Sequence, residues 1–251
     1  MKDGDLCMEN IKLLHGDCLE LMKDIPDKSI DLVLCDLPFG TTRNKWDIPI
    51  NLDNLWEQYL RIIKDNGAIV LFAQTPYDKI LATSNIKLLR YEWIWEKTHA
   101  TGHLNSKKMP LKAHENILVF YKKLPTYNPQ KTTGHTPVHS YTKHTDDGTN
   151  YGKTKIGISG GGSTERYPRS VLKFSKDTQK ISLHPTQKPV ALLEYLIKTY
   201  TNEGDLVLDN CMGSGSTGVA AINTNRKFIG IEKDDNYFEI ARNRIEQHLN
   251  K

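Results

Sequence analysis

Short apolar runs alternate with helical spacings through most of this chain. Residues 11–17 (IKLLHGD) read as a strand, and 18–25 (CLELMKDI) carry helical spacing. Residues 29–36 (SIDLVLCD) form a near-continuous apolar run, the pattern of a strand covered on both faces. A helix is predicted over 51–64, with Asn51 or Asp53 as N-cap and Gly67 just past its end. Residues 68–73 (AIVLFA) predict the next strand, and 91–97 and 116–122 predict two more near one sheet edge. From about 125 to 170 the rhythm stops in a polar stretch rich in Gly, Thr, His and Lys, which implies an insertion with its own role or a disordered segment. The rhythm resumes with a helix over 189–200, Pro189 opening its first turn. A strand at 205–210, a Gly-rich turn at 211–218, a strand at 227–232 and an amphipathic helix at 236–249 follow. The alternation predicts an α/β fold: a doubly wound, mostly parallel sheet of seven strands.

Composition narrows the class. A chain of 251 residues, 38% hydrophobic and 25% charged, suits one α/β domain with an insertion, or two small domains. No run approaches the ~18 apolar residues of a membrane span. The opening MKDGDLCMEN lacks the apolar core of a signal peptide. Cys7, Cys18, Cys35 and Cys211 form no CxxC pair, so no metal site or disulfide framework is expected, and a cytoplasmic setting is.

Charge is uneven. Residues 97–188 hold 16 Lys/Arg against 5 Asp/Glu, while the remainder holds 18 against 25. Seven of nine histidines lie in the same block. The block reads either as a solvated basic face or as a surface for a polyanion. Lys107, Lys108, Lys112, Lys143, Arg166 and Arg169 are its candidate contacts to such a polyanion.

Two stretches carry candidate chemistry. In CDLPFG (35–40) a buried strand runs into an acid, a Leu-Pro pair, an aromatic and a glycine. Pro38 and Gly40 suit a plain turn; Asp36 and Phe39 are not explained by one. In LDNCMGSGSTG (208–218) a strand meets a Gly-rich turn and a helix, and the next strand ends in Glu232. That reads as a nucleoside-binding half-domain or as a purely structural left-handed turn; in the first reading Gly213 and Gly215 admit close backbone approach, and Glu232 can accept from ribose hydroxyls. Gly213, Gly215 and Gly218 also satisfy G-x-G-x-x-G, which leaves an NAD-dependent oxidoreductase open. Against it, one helix alone follows the second strand, and neither DLPF nor HPTQKP has a role in hydride transfer.

In their order, these segments resemble the beta-class DNA amino-methyltransferases, which methylate exocyclic nitrogens of adenine or cytosine. DLPF matches their catalytic tetrapeptide, with Leu37 where Pro is usual. The basic block matches their target-recognition segment, HPTQKPVALLEYLIKTY the stretch before the cofactor loop, and LDNCMGSGSTGVAA the loop, with Asn210-Cys211 where Pro-Phe is commoner. The resemblance covers nearly the whole chain outside 125–170.

It implies a Rossmann-like methyltransferase fold in permuted order. Residues 1–123 would form the catalytic half, 124–172 a target-recognition insertion and 173–251 the cofactor half. The implied cofactor is S-adenosyl-L-methionine, with no metal. Asp17, Asp36, Thr186, Lys188, Asp209, Asn210, Met212, Gly213, Ser214, Gly215, Ser216 and Glu232 are its implied contacts. Asp17 reads nearly as well as a plain helix-N-terminal acid, and Trp46 as a core aromatic. The implied catalytic residues are Asp36, Leu37, Pro38 and Phe39. An exocyclic amino nitrogen is a poor nucleophile, because its lone pair is delocalised into the ring. Asp36 Oδ and the Leu37 carbonyl would accept its hydrogens and free that pair, while Phe39 stacks on a base flipped from the duplex. Asp at the head of the tetrapeptide leans to adenine N6 over cytosine N4. No Pro-Cys dipeptide offers carbon-5 chemistry. Double-stranded DNA is the implied partner. The resemblance also allows a homodimer and a partner restriction endonuclease, and a stand-alone enzyme is expected over a fused one.

Overall fold

The computed structural model describes residues 6–40, 47–143, 156–175 and 187–250. Their elements run β1 (Leu6–Met8), β2 (Ile11–His15), α1 (Cys18–Leu21), β3 (Ile30–Asp36), α2 (Leu52–Ile62), β4 (Ile63–Ala73), α3 (Tyr77–Ser84), β5 (Leu89–Thr101) and β6 (Lys112–Phe120). Then come β7 (Tyr141–Thr142), β8 (Ser159–Gly160), β9 (Val171–Phe174), α4 (Val190–Tyr200), β10 (Leu206–Asp209), α5 (Ser216–Asn223), β11 (Lys227–Glu232) and α6 (Asp235–Leu249). The chain divides into two compact units, Met1–Asn128 with Ser170–Lys251, and Pro129–Arg169.

The larger unit is built on one sheet in the order β1-β2-β11-β10-β3-β4-β6-β5-β9. Strands β2, β11, β10, β3 and β4 are mutually parallel; β6 is antiparallel to β4 and to β5. All seven predicted strands are in it. Two edge strands were not predicted: β1, a three-residue hairpin partner of β2, and β9, four residues alongside β5.

Side-chain alternation shows why the central strands read as continuous apolar runs. Leu32 and Leu34 of β3, with Val70 and Phe72 of β4, join the core covered by α4, α5 and α6. Val33 and Cys35, with Ile69 and Leu71, join the opposite core with Leu55, Trp56 and Tyr59 of α2. Each such side chain stabilises the fold by roughly 1.5–3 kcal/mol relative to exposure.

One predicted boundary is corrected. Helix α2 begins as expected, Asn51 Oδ1 accepting from the Asn54 N–H at 3.0 Å. Gly67 does not cap its end; it lies inside β4, which starts at Ile63. A Cβ at Gly67 would sit 2.8 Å from the Asp31 carbonyl oxygen, so the glycine serves a close backbone approach.

The carboxyl ends of the parallel strands gather four acids: Asp36 ends β3, Asp209 ends β10, Glu232 ends β11, and Asp17 follows β2. Ligands of open α/β sheets sit at this edge.

The smaller unit carries the β7–β8 ladder and a bridge between Thr132 and Arg166. Arg166 donates from its guanidinium to the carbonyls of Ser163, Glu165 and Thr136.

Candidate active site

The loop after β10 adopts its shape through two left-handed glycines. Gly215 has φ 76° and caps α5; a Cβ there would press on Ala241 at 3.1 Å. Gly213 has φ 51°, a conformation that favours glycine, and among the described residues no atom lies within 4 Å of a Cβ position there. Further on, a Cβ at Gly218 would lie 2.5 Å from Ile245 Cδ1, so this glycine lets α5 and α6 pack closely.

The loop leans on Glu232. Glu232 Oε2 accepts from the Gly213 N–H at 2.8 Å, and Oε1 from the N–H groups of Lys233 and Asp234 at 2.9 Å each. Burial lifts its carboxyl above the usual range against the pull of these N–H donors. Asp209 is buried, accepting from Thr217 Oγ1 at 2.6 Å and the Cys211 N–H at 3.1 Å; burial raises its pKa to about 6. Asn210 accepts from the Tyr59 hydroxyl at 2.5 Å. Asp17 caps α1 through the Leu19 N–H and meets Lys233 Nζ at 3.0 Å. Burial works to raise its pKa, but Lys233 and the Leu19 N–H hold it below the usual value.

The other wall follows β3. Lys188 Nζ donates to Asp36 Oδ2 and lies 3.2 Å from Glu115 Oε2; Lys97 Nζ lies 2.6 Å from Glu115 Oε1. Acidic and basic groups therefore alternate along a ladder of half-buried Asp36 and buried Lys188, Glu115 and Lys97. Burial pushes Asp36 upward, with Lys188 opposing. Burial works against ionised Glu115 too, yet its two lysines bring it down to about 2. Lys188 is raised: burial disfavours its charge, but Asp36 and Glu115 outweigh that. Among the described residues, Asp36 Oδ1 is buried with no hydrogen-bond partner.

Past Asp36 the chain turns sharply. Leu37 is buried, and Phe39 lies 5.1 Å from the Tyr77 ring at an interplanar angle of 31°. The Gly40 N–H donates to Asp47 Oδ1 at 2.8 Å. A Cβ at Gly40, whose φ is 68°, would strike Pro49 Cγ at 2.6 Å, so a side chain is excluded there.

Both walls enclose one cavity of about 730 Å³. Asp17, Asp36, Leu37, Pro38, Phe39, Lys188, Asp209, Asn210, Met212, Gly213, Ser214, Ser216 and Glu232 all line it. Gly215 shapes the loop from behind. Thr186 and Trp46 lie outside the described residues. Lys107, Lys108 and Lys112 are exposed on the β5–β6 hairpin. Lys143, Arg166 and Arg169 belong to the smaller unit.

Sequence reasoning missed Glu115 and Lys97. The acid opening the apolar run ENILVF was the available signal, since an acid there needs a partner once the strand is buried.

A DNA methylase family model, N6_N4_Mtase, matches residues 30–243. The chain is 28% identical to the DNA adenine methyltransferase YhdJ of Escherichia coli K12, over 93% of this chain and 82% of that protein. It is 27% identical to the type II methyltransferase M.HpaI of Haemophilus parainfluenzae, over 95% and 75%. The M1.HpyAVI–SAM complex superposes with TM-score 0.63 at 25% identity, over 93% of this chain and 99% of that one. The cytosine-N4-specific PvuII methyltransferase has the same fold, TM-score 0.65 at 18% identity, over 97% and 92%. With its two-sided cavity and a match of that extent, this chain belongs to the N6/N4 DNA methylase family.

Proposed function

We propose that this protein transfers a methyl group from S-adenosyl-L-methionine to the N6 amino group of adenine at a specific sequence in double-stranded DNA, with the target base flipped into the cavity. Asp36 carries the reading: at the carboxyl end of β3 it presents Oδ1, a buried acceptor with no hydrogen-bond partner among the described residues. An unsatisfied buried acceptor costs about 1–3 kcal/mol, and an amino group that bonds it relieves that cost.

The Gly-rich wall fits a nucleoside cofactor. Gly213 leaves open the space a side chain would fill, and Glu232 stands beside it. In this reading Glu232 accepts from ribose hydroxyls. Bound S-adenosyl-L-methionine supplies an electrophilic methyl on a positive sulfonium. The chain's own part is to make the amino nitrogen nucleophilic. Asp36 and the Leu37 carbonyl accept its two hydrogens, favouring a tetrahedral nitrogen whose lone pair is free. Lys188 opposes the burial that disfavours an ionised Asp36, and Phe39, backed by Tyr77, offers a ring face to the base. The target-recognition role falls to the insertion around 124–172 with the basic hairpin before it.

Adenine is favoured by the aspartate that heads the tetrapeptide and by the likeness to an adenine methyltransferase. The same two acceptors would serve cytosine N4. The test is single-turnover transfer from labelled S-adenosyl-L-methionine to unmethylated DNA, followed by nucleoside mass spectrometry. N6-methyladenine is expected, and N4-methylcytosine would move the assignment. By analogy with loss of one preorganised group at an oxyanion, Asp36→Ala should slow transfer by about 10²–10³, and Asp36→Asn by less. An Asp36→Ala rate near wild type would overturn the mechanism.

A further inference from the structure

The hairpin joining β5 to β6 ends in a solvent-facing apolar tip. Leu104 is 101% exposed, and Met109 and Leu111 are 51% and 37% exposed. An isolated exposed leucine is ordinary; one held on an ordered, basic tip is less so. Gly102, at φ 93°, turns the chain into a short 3₁₀ turn over His103–Asn105. Four backbone hydrogen bonds brace the tip: Asn105 to Gly102, Ser106 to His103, and Lys108 and Met109 to Asn105. Residues 98–114 contain three lysines, three histidines and no acid.

The root of this hairpin reaches the active site. Glu115, a wall of the cavity, pairs with Trp95 in the β5–β6 ladder, and Lys97 follows two residues later. The antiparallel pairing of Ala73 with Asn116 carries β6 past the carboxyl edge of the sheet. Lys112 thus stands about 10 Å beyond Glu115, and the tip lies farther out on the same side. The shape is a stiff arm that starts beside Asp36's charge ladder, is flanked by cations and is headed by a leucine.

We propose that Leu104 is a wedge: as the lysines seat the hairpin on phosphates, its side chain enters the base stack and fills the gap left by the flipped base. Apolar side chains on DNA-binding proteins part base steps in this way, and the ring-to-ring space suits a branched aliphatic group. The proposal rests on the DNA methyltransferase reading, and commits the exposed apolar tip to duplex DNA because the hairpin's own residues 98–114 carry three lysines and no acid.

The wild-type enzyme's site is located by sequencing its methylated product. That site is then built into two duplexes, one with the target base paired and one with an abasic position opposite it. Leu104→Ala is expected to slow methylation of the paired duplex about tenfold or more, yet to stay within about twofold of wild type where pairing is already removed. Leu104→Met, which keeps an apolar wedge, should track wild type on both. A 2-aminopurine at the target position should brighten less with Leu104→Ala than with wild type. Equal loss on both duplexes, or no loss on the paired one, overturns the wedge. Unchanged flipping together with a smaller sedimenting species would assign the tip to a second copy of the chain and also overturns it. Failure of the wild type to methylate any DNA instead removes the reading on which the wedge rests.

Discussion

Lys188 holds one oxygen of Asp36, and the other has no partner among the described residues. The relationship joins residues 152 positions apart, and divides the two oxygens between a structural and a chemical task. It also ties Asp36 to Glu115, since both carboxylates share the same ammonium.

That sharing has a signature in pH. Glu115 is depressed from 4.5 to about 2, so its ionisation contributes stability that is whole above about pH 4.5 and lost as pH falls towards 2. Glu115→Gln should be less stable at neutral pH, by roughly 3–5 kcal/mol, because buried Lys97 loses its carboxylate partner and buried Lys188 keeps only Asp36. Its stability should then fall less steeply than wild type between pH 4.5 and 2. Denaturant melts across that range measure both; parallel curves would show that Glu115 is not held ionised by its lysines.

Phe39 offers a ring face, and the face survives a change of ring. Phe39→Ala should weaken capture of the flipped base by about 1–3 kcal/mol, with cofactor affinity unchanged. Phe39→Trp should lose less. The check is KM for DNA beside calorimetric binding of S-adenosyl-L-methionine. A defect confined to the cofactor would place the ring on the wrong ligand.

Glu232 braces the loop as well as facing the cavity. Glu232→Ala should weaken S-adenosyl-L-methionine binding by tenfold or more, about 1.4 kcal/mol. Because the Gly213 N–H also loses its acceptor, the Tm should drop. Glu232→Gln retains an acceptor oxygen and should recover part of both. Calorimetry and thermal melts separate the two effects. Tight NAD binding without S-adenosyl-L-methionine binding would return the oxidoreductase reading.

Lys107 and Lys108 are exposed on the basic hairpin. Their joint change to Gln should weaken DNA binding across all sequences and lower the slope of log K against log salt by about 1 for each phosphate no longer neutralised. Fluorescence anisotropy between low and moderate salt reads this directly. An unchanged slope assigns both lysines to a solvated face.

How much of this was legible depends on the kind of signal. Strands β3, β4 and β10 were readable because residues such as Leu32, Val33 and Leu34 face cores on both sides and must all be apolar. The Gly-rich turn was readable because Gly213 and Gly215 occupy left-handed backbone that side chains resist. Gly67 misled because a glycine after a helix and a glycine inside a crowded strand look alike in one dimension. Strands β1 and β9 are too short to show a period. The charge ladder was hidden for a different reason: Lys97 and Glu115 meet through strand pairing, Lys188 arrives from beyond the insertion, and no spacing records such a meeting.

The permuted strand order sets a schedule for the newborn chain. β3 lies between β4 and β10, and Leu32 pairs with Val207. Its neighbour on one side is therefore made almost at once, and on the other only about 170 residues later. At about 5–20 residues per second, the β3 edge waits on the order of ten to thirty-five seconds on the ribosome. Throughout that interval an apolar strand ending in Asp36 has an open flank. A chain that stalls before residue 206 keeps its DLPF turn but lacks β10 and β11 to close the sheet. Such truncated products should be sticky, inert, and in need of a holding chaperone.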